Sequence, residues 1–177
     1  KSESIFPLGE IGLLMRSVSE KIENLEKEWR YEFFDSDLQS LGTQSLKLHK
    51  KFNIRDSYTL DHINHSLFFN RRTGAYTLLS LDAKNNQRDL VKWELGRKHV
   101  VKDMKILGEY AFMHVQARRK AYVYVREWRG KQARFVPIQI KGIPQKRLKI
   151  AQLKLIEERK EVFVYIQARI KIKPAET

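Results

Sequence analysis

Residues 88–107 read RDLVKWELGRKHVVKDMKIL, and the assignment of these twenty residues decides the fold. Leu90, Trp93, Val100, Met104 and Leu107 recur at spacings of three, four and seven, which on a helix sets them along one side. Lys92, Arg97, Lys102 and Lys105 fall largely elsewhere. Gly96 weakens such a helix by about 1 kcal/mol relative to alanine. The pattern predicts an amphipathic helix over 88–107.

Outward from that helix, on the C-terminal side, come three strand-like runs joined by short basic turns: 110–117, 121–128 and 133–141. Gly142 and Pro144 then announce a second helix to about Lys160, with Leu148, Ala151, Leu155 and either Gln152 or Ile156 on its buried stripe. A last strand follows at 162–172. On the N-terminal side, SLFFN and AYTLLSLDA flank Arg71-Arg72-Thr73-Gly74, and the stretch 67–83 reads as a hairpin. Further back, Ile11, Met15, Val18, Ile22, Leu25 and Trp29 step by fours and threes, which predicts a helix over 9–29. That seam is shorter than three heptads, so it needs this protein's own sheet or a neighbouring protein to pack on. Residues 30–34 suggest a short strand, and 35–65 mix helix and loop signals.

The whole reads as an α+β protein. A mostly antiparallel sheet of four or five strands is covered by the helices 88–107 and 144–160 in a two-layer sandwich, with an N-terminal helix and hairpin. The expected division is an N-terminal helical and irregular segment, 1–65, and a basic nucleic-acid-binding domain, 66–177.

Strand parity sharpens the expectation, because successive side chains point to opposite faces. The phrase FMHVQARRK at 112–120 returns as FVYIQARIK at 163–171. In the first copy Met113, Val115 and Ala117 oppose Phe112, His114, Gln116 and Arg118. In the second, Val164, Ile166 and Ala168 oppose Phe163, Tyr165, Gln167, Arg169 and Lys171. Val123 and Val125 oppose Tyr122, Tyr124, Arg126 and Trp128, while Val136, Ile138 and Ile140 oppose Phe135, Gln139 and Lys141. Each strand thus carries an aliphatic face for a core and a face of rings, amides and cations. Two strands under the same patterning demands explain the repeated phrase without a duplication.

Charge points the same way. The chain of 177 residues carries a net +14, distributed as −4 over residues 1–40, +4 over 41–90 and +14 over 91–177. Such asymmetry implies a polyanionic partner for the second half. Aromatic rings stack on bases for about 1–3 kcal/mol each while neighbouring cations hold phosphates. The candidate contacts are therefore Phe112, His114, Gln116, Arg118, Arg119, Lys120, Tyr122, Tyr124, Arg126, Trp128, Lys141, Lys146, Arg147, Lys149, Tyr165, Gln167, Arg169 and Lys171. If the N-terminal segment covers this face, it becomes a second core instead, with its Arg and Lys reaching past to water.

Two resemblances favour the same substrate class. Lys120-Ala-Tyr-Val-Tyr-Val125 resembles the signature strand of RNA-recognition motifs, a basic residue leading alternating aromatics, with Ala121 and Val123 in place of its small residues and Glu127 in place of an aromatic. The helix–three strands–helix order read over 88–160 is similar to a double-stranded-RNA-binding domain. That resemblance implies a phosphate grip at Lys141, Gly142, Lys146, Arg147 and Lys149.

Catalytic signals are thin. Asp61-His62-Ile63-Asn64-His65 places two imidazoles three apart, which with Asp61 or His49 could bind a divalent metal on a helix face. Asp82, Glu94 and Lys98 only sketch a nuclease acidic cluster. There is no cysteine, which removes thiolate zinc sites and cysteine nucleophiles and suits a reducing compartment. No Gly-rich phosphate loop or nucleophile elbow occurs. No apolar run is long enough for a membrane-spanning helix. The sequence opens on Lys1, as a processed chain would, and shows no signal peptide.

The reading that unites these features is a non-catalytic RNA-binding component of a ribonucleoprotein such as a ribosome. It has no cofactor or metal, contacts a neighbouring protein through the 9–29 helix, avoids membranes, and sits inside the cell in the cytoplasm or an organelle such as the mitochondrion. The alternatives are a DNA-binding accessory or targeting protein of a mobile element or replication system, a metal-dependent nuclease using His62 and His65, and a module whose basic half meets an acidic protein.

Overall fold

The structure is a computed structural model that describes residues 3–118, 120–144, 148–158 and 161–170. It overturns the α+β expectation: the described residues lie almost entirely in strands and turns, and no α-helix occurs among them. The strands run β1 (Glu3–Pro7), β2 (Leu13–Val18), β3 (Glu26–Phe34), β4 (Ser40–His49), β5 (Phe52–Leu60), β6 (Ile63–Asn70), β7 (Ala75–Asp82), β8 (Gln87–Glu94), β9 (His99–Leu107), β10 (Tyr110–Ala117), β11 (Lys120–Glu127), β12 (Ala133–Pro137), β13 (Leu148–Glu158) and β14 (Glu161–Ile170). They form three antiparallel four-stranded sheets, β1–β4, β5–β8 and β9–β12, and the two-stranded sheet β13–β14. Every pairing joins strands consecutive in the chain. Contacts divide the molecule into two compact units, Lys1–Arg97 and Lys98–Thr177. Residues 65 and 66, where the sequence suggests a boundary, are consecutive positions of β6.

Each expected helix fails for a local reason. The stretch 88–107 is β8, a break, and β9; Gly96, at φ +77°, sits in the break. In β8 the burial alternates, with Asp89, Val91 and Trp93 less exposed than Arg88, Leu90, Lys92 and Glu94. The stretch 9–29 holds a short 3-10 turn (Gly9–Ile11), β2 and part of β3. Asn24 (φ 50°) and Leu25 (φ 64°) are both left-handed, and Glu23 and Glu26 exchange backbone hydrogen bonds of 3.2 and 2.8 Å across them. That is the two-residue turn whose twist matches a hairpin. Ile22 and Leu25, two members of the supposed seam, stay exposed there. The helix expected over 144–160 is β13 where it is described; residues 145–147, 159 and 160 lie outside the described residues. Without these helices, neither the helical docking surface at 9–29 nor the double-stranded-RNA-binding element order exists. The expected hairpin at 67–83 is present as β6–β7, and the runs at 110–117, 121–128 and 133–141 as β10, β11 and a shorter β12.

In the first unit, sheets β1–β4 and β5–β8 share one core. Leu8, Leu14, Trp29, Tyr31, Phe33, Leu46 and Leu48 meet Phe68, Leu79 and Leu81. Trp29 stands edge-on to Phe68, with centroids 5.0 Å apart at 68°. Tyr31 is fully buried, and its hydroxyl makes no hydrogen bond of good geometry among the described residues. Burial pushes its pKa up to about 12, and nearby Ser66 and Arg16 offset this only in part. The folded state therefore keeps the phenol proton at a pH where the unfolded chain, near pKa 10, has released it. Stability is retained below pH 10 and lost between about pH 10 and 12, by roughly 3 kcal/mol in all. Urea melts at stepped pH should show this alkaline loss shrinking in Tyr31→Phe; an identical slope in both proteins would remove Tyr31 as its source.

In the second unit, the helical cover expected for the aliphatic face is replaced by the β13–β14 hairpin. Leu155, Val162 and Ile166 pack on Ala121, Val123, Val125, Ile138 and Phe112. Here the faces also recombine. Ala117 pairs with Lys120, so odd residues of β10 face even residues of β11: Phe112 opposes Val125, His114 opposes Val123, Met113 opposes Tyr124 and Val115 opposes Tyr122. Phe112 and His114 consequently share the aliphatic face, while Tyr122 and Tyr124 share the face of Met113 and Val115. A single aromatic–basic face running across all four strands does not form.

Candidate functional site

One end of sheet β9–β12 gathers rings and cations into a shallow groove lined by Lys98, His99, Ala117, Arg118, Lys120 and Tyr122. Register explains the gathering. His99 pairs with Ala117 on β10, and Ala117 pairs with Lys120 on β11. Tyr122 lies two residues further along β11, on the same face. Arg118 occupies the turn in a left-handed conformation, φ 54°, and is exposed. The side-chain amide of Gln116 donates to the carbonyls of Arg118 (2.8 Å) and Lys120 (3.0 Å), pinning that turn. Gln116 is thus a positioning residue, supporting the cations rather than offering itself to a ligand.

Beside the groove stands Phe135 of β12, 43% exposed. Its ring centroid lies 4.7 Å from Tyr124, 5.7 Å from Tyr122 and 5.6 Å from His99. Tyr124 is buried beneath it. The cluster therefore offers one partly exposed ring tilted against Tyr124, joined to the groove through half-buried Tyr122 and His99. The surrounding unit, residues 98–177, carries 20 Lys/Arg against 7 Asp/Glu, net +13, whereas residues 1–97 carry 15 against 14, net +1.

The other candidate contacts separate. His114 is buried, and its Nε2 has no hydrogen-bond partner among the described residues. Burial holds its pKa below the usual imidazole value, although Asp103 opposes the shift and Lys102 adds to it. Its burial and lowered pKa both disfavour the charged form. Trp128 is buried too: its indole donates to the Gly108 carbonyl at 2.8 Å, and the Arg129 guanidinium lies 4.3 Å over its ring. Arg126 reaches the Gly130 carbonyl at 3.4 Å. Half-buried Phe112 lines a separate hollow with Tyr110, Val125 and Arg134. Lys141 is exposed in the turn after β12. Tyr165, Gln167 and Arg169 are exposed on one face of β14, as parity requires. Arg119, Lys146, Arg147 and Lys171 lie outside the described residues, as does the Lys149 side chain. Strand reasoning found Arg118, Lys120 and Tyr122; it missed Lys98 and His99, which the helical assignment had turned away from the sheet.

The histidine pair does not converge. His65 is buried in β6 with Nδ1 2.8 Å from Ser80 Oγ, while His62 sits in the preceding turn with Nε2 3.5 Å from Asp82 Oδ1. His62 thus lies before the strand begins, and each ring is engaged with a different partner. Among the described residues no group of three or more His, Cys, Asp or Glu is placed to hold a metal ion, and no helix is long and apolar enough to cross a membrane. Comparison with protein families, characterised protein sequences and solved structures finds no match to this chain.

Proposed function

We propose that this protein binds single-stranded nucleic acid, RNA in preference to DNA, without chemistry of its own, as a fixed component of an intracellular ribonucleoprotein. The observation that carries the reading is the exposed Phe135 ring, joined through Tyr122 and His99 to a groove lined by Lys98, Arg118 and Lys120, within the unit of net charge +13. An exposed ring takes the face of an unstacked base, and cations around it take the flanking phosphates. Duplexes hide their base faces, so the same site favours single strands.

Fluorescence anisotropy with labelled single-stranded RNA, single-stranded DNA and duplexes, each over a salt series, tests this. Phe135→Ala should weaken single-strand binding about tenfold, from the loss of one stacked base. Arg118→Ala with Lys120→Ala should lower the salt slope by about 1 to 2. Absence of binding at low salt, or variants indistinguishable from the parent, would sink the proposal. Equal affinity for both kinds of single strand would remove the RNA preference, and a higher affinity for duplex DNA would favour the DNA-binding alternative.

A further inference from the structure

Three sheets have four strands, but β13–β14 has two, and among the described residues no strand pairs with the outer edge of β14. Its sequence, EVFVYIQARI, carries neither proline nor lysine, the residues that commonly blunt an edge. Phe163 is 48% exposed, Val164 38% and Tyr165 53%. An uncovered apolar edge of this length is a template for another strand.

We propose that the strand it takes is β14 of a second copy of this chain, antiparallel, with Tyr165 opposite Tyr165 on a two-fold axis. Parity limits the choices. Val162 and Ile166 pack inward on sheet β9–β12, whereas Phe163, Tyr165, Gln167 and Arg169 face outward. A register that pairs odd with even residues would bring an inward face against an outward one, so only odd-with-odd registers keep both. Centring on Val164 sets Glu161 opposite Gln167, and centring on Ile166 sets Arg169 opposite Phe163. Centring on Tyr165 sets Glu161 opposite Arg169, twice by symmetry, Phe163 opposite Gln167, Val162 opposite Ala168 and Val164 opposite Ile166. It matches both charges, keeps the inner side wholly aliphatic and stacks two tyrosines at the axis. The product, β13–β14–β14–β13, is a four-stranded antiparallel sheet like the other three. Such an isologous contact closes on itself as a dimer.

The full chain, studied by sedimentation velocity over a concentration series, should be a dimer. Glu161→Lys places two like-charged pairs across the seam and should weaken association about tenfold. Adding Arg169→Glu restores opposite charges and should restore the dimer. The chain has no cysteine, so Tyr165→Cys gives a clean second readout. Opposed residues of antiparallel strands have Cα atoms about 4.5–5.5 Å apart, within the span of a disulfide. Mild oxidation should cross-link that variant far faster than Ile5→Cys, at a position 67% exposed on another strand. A parent monomeric at every concentration, a double variant no better associated than Glu161→Lys, or equal cross-linking of the two cysteines would each overturn the proposal. Lys98, Arg118 and Lys120 lie on β11 and in the turns beside β9 and β10, away from β14, so nucleic-acid binding stands or falls separately.

Discussion

Phe68→Ala is expected to destabilise the first unit by about 4 kcal/mol, the largest loss of any single substitution considered for this protein. Phe68 is wholly inaccessible and closes the core between sheets β1–β4 and β5–β8, edge-on to Trp29 and packed with Leu79, Leu81 and the rest of the cluster. Truncation removes the transfer free energy of the ring, leaves a cavity whose walls belong to two hydrogen-bonded sheets that cannot collapse far, and deletes an aromatic pair. For a unit of this size the loss corresponds to a fall in melting temperature of roughly 20 °C. Calorimetry on the full chain, with Ile5→Ala as an exposed control within about 0.5 kcal/mol of the parent, measures it. A drop below about 1 kcal/mol would mean that the two sheets are not joined through this ring.

Gly12→Ala comes next, at about 3 kcal/mol. Gly12 adopts φ +133°, and a β-carbon there would run into the backbone of Phe34 and Asp35. Its carbonyl also accepts the Leu8 amide at 2.9 Å, which places Leu8 in the core. Neither strain nor overlap can be relieved by turning a side chain, because the obstacle is main chain. Gly96→Ala is the contrast. Its φ is +77°, but a β-carbon meets nothing within 4 Å, so the cost is backbone strain alone, about 1 kcal/mol. Equal losses at the two glycines would show that the close approach at Gly12 is not real.

The strands β10 and β11 are legible in the sequence because FMHVQA and AYVYV alternate without interruption. Bulges lie behind the helical spacing in β9 and β13. In β9 the register shifts between His114 and Val115 of its partner, so Val101 and Met104, three apart, are both buried. In β13 the backbone register likewise shifts between Ile150 and Gln152. One extra residue in a strand turns a spacing of two into three, and three is also a helical spacing. The candidate site suffered from a second ambiguity. Ala117 pairs with Lys120, so odd pairs with even across β10 and β11, which splits the rings of the two strands between faces. The sequence between Ala117 and Lys120 holds no Gly or Asn to announce a turn, although Arg118 takes the left-handed conformation all the same. The cations at the turn were therefore visible in the sequence, while the nearby ring, Phe135, was recognisable only as one outward residue among several.

Because each strand pairs, among the described residues, only with neighbours along the chain, the ladders close over short loops. Loop-closure entropy is correspondingly small, and the mean sequence separation of contacts is low for an all-β molecule. Refolding should therefore run faster than in Greek-key sandwiches of similar size. During synthesis each meander can zip up as soon as its fourth strand has left the translating ribosome, without waiting for residues still to be added.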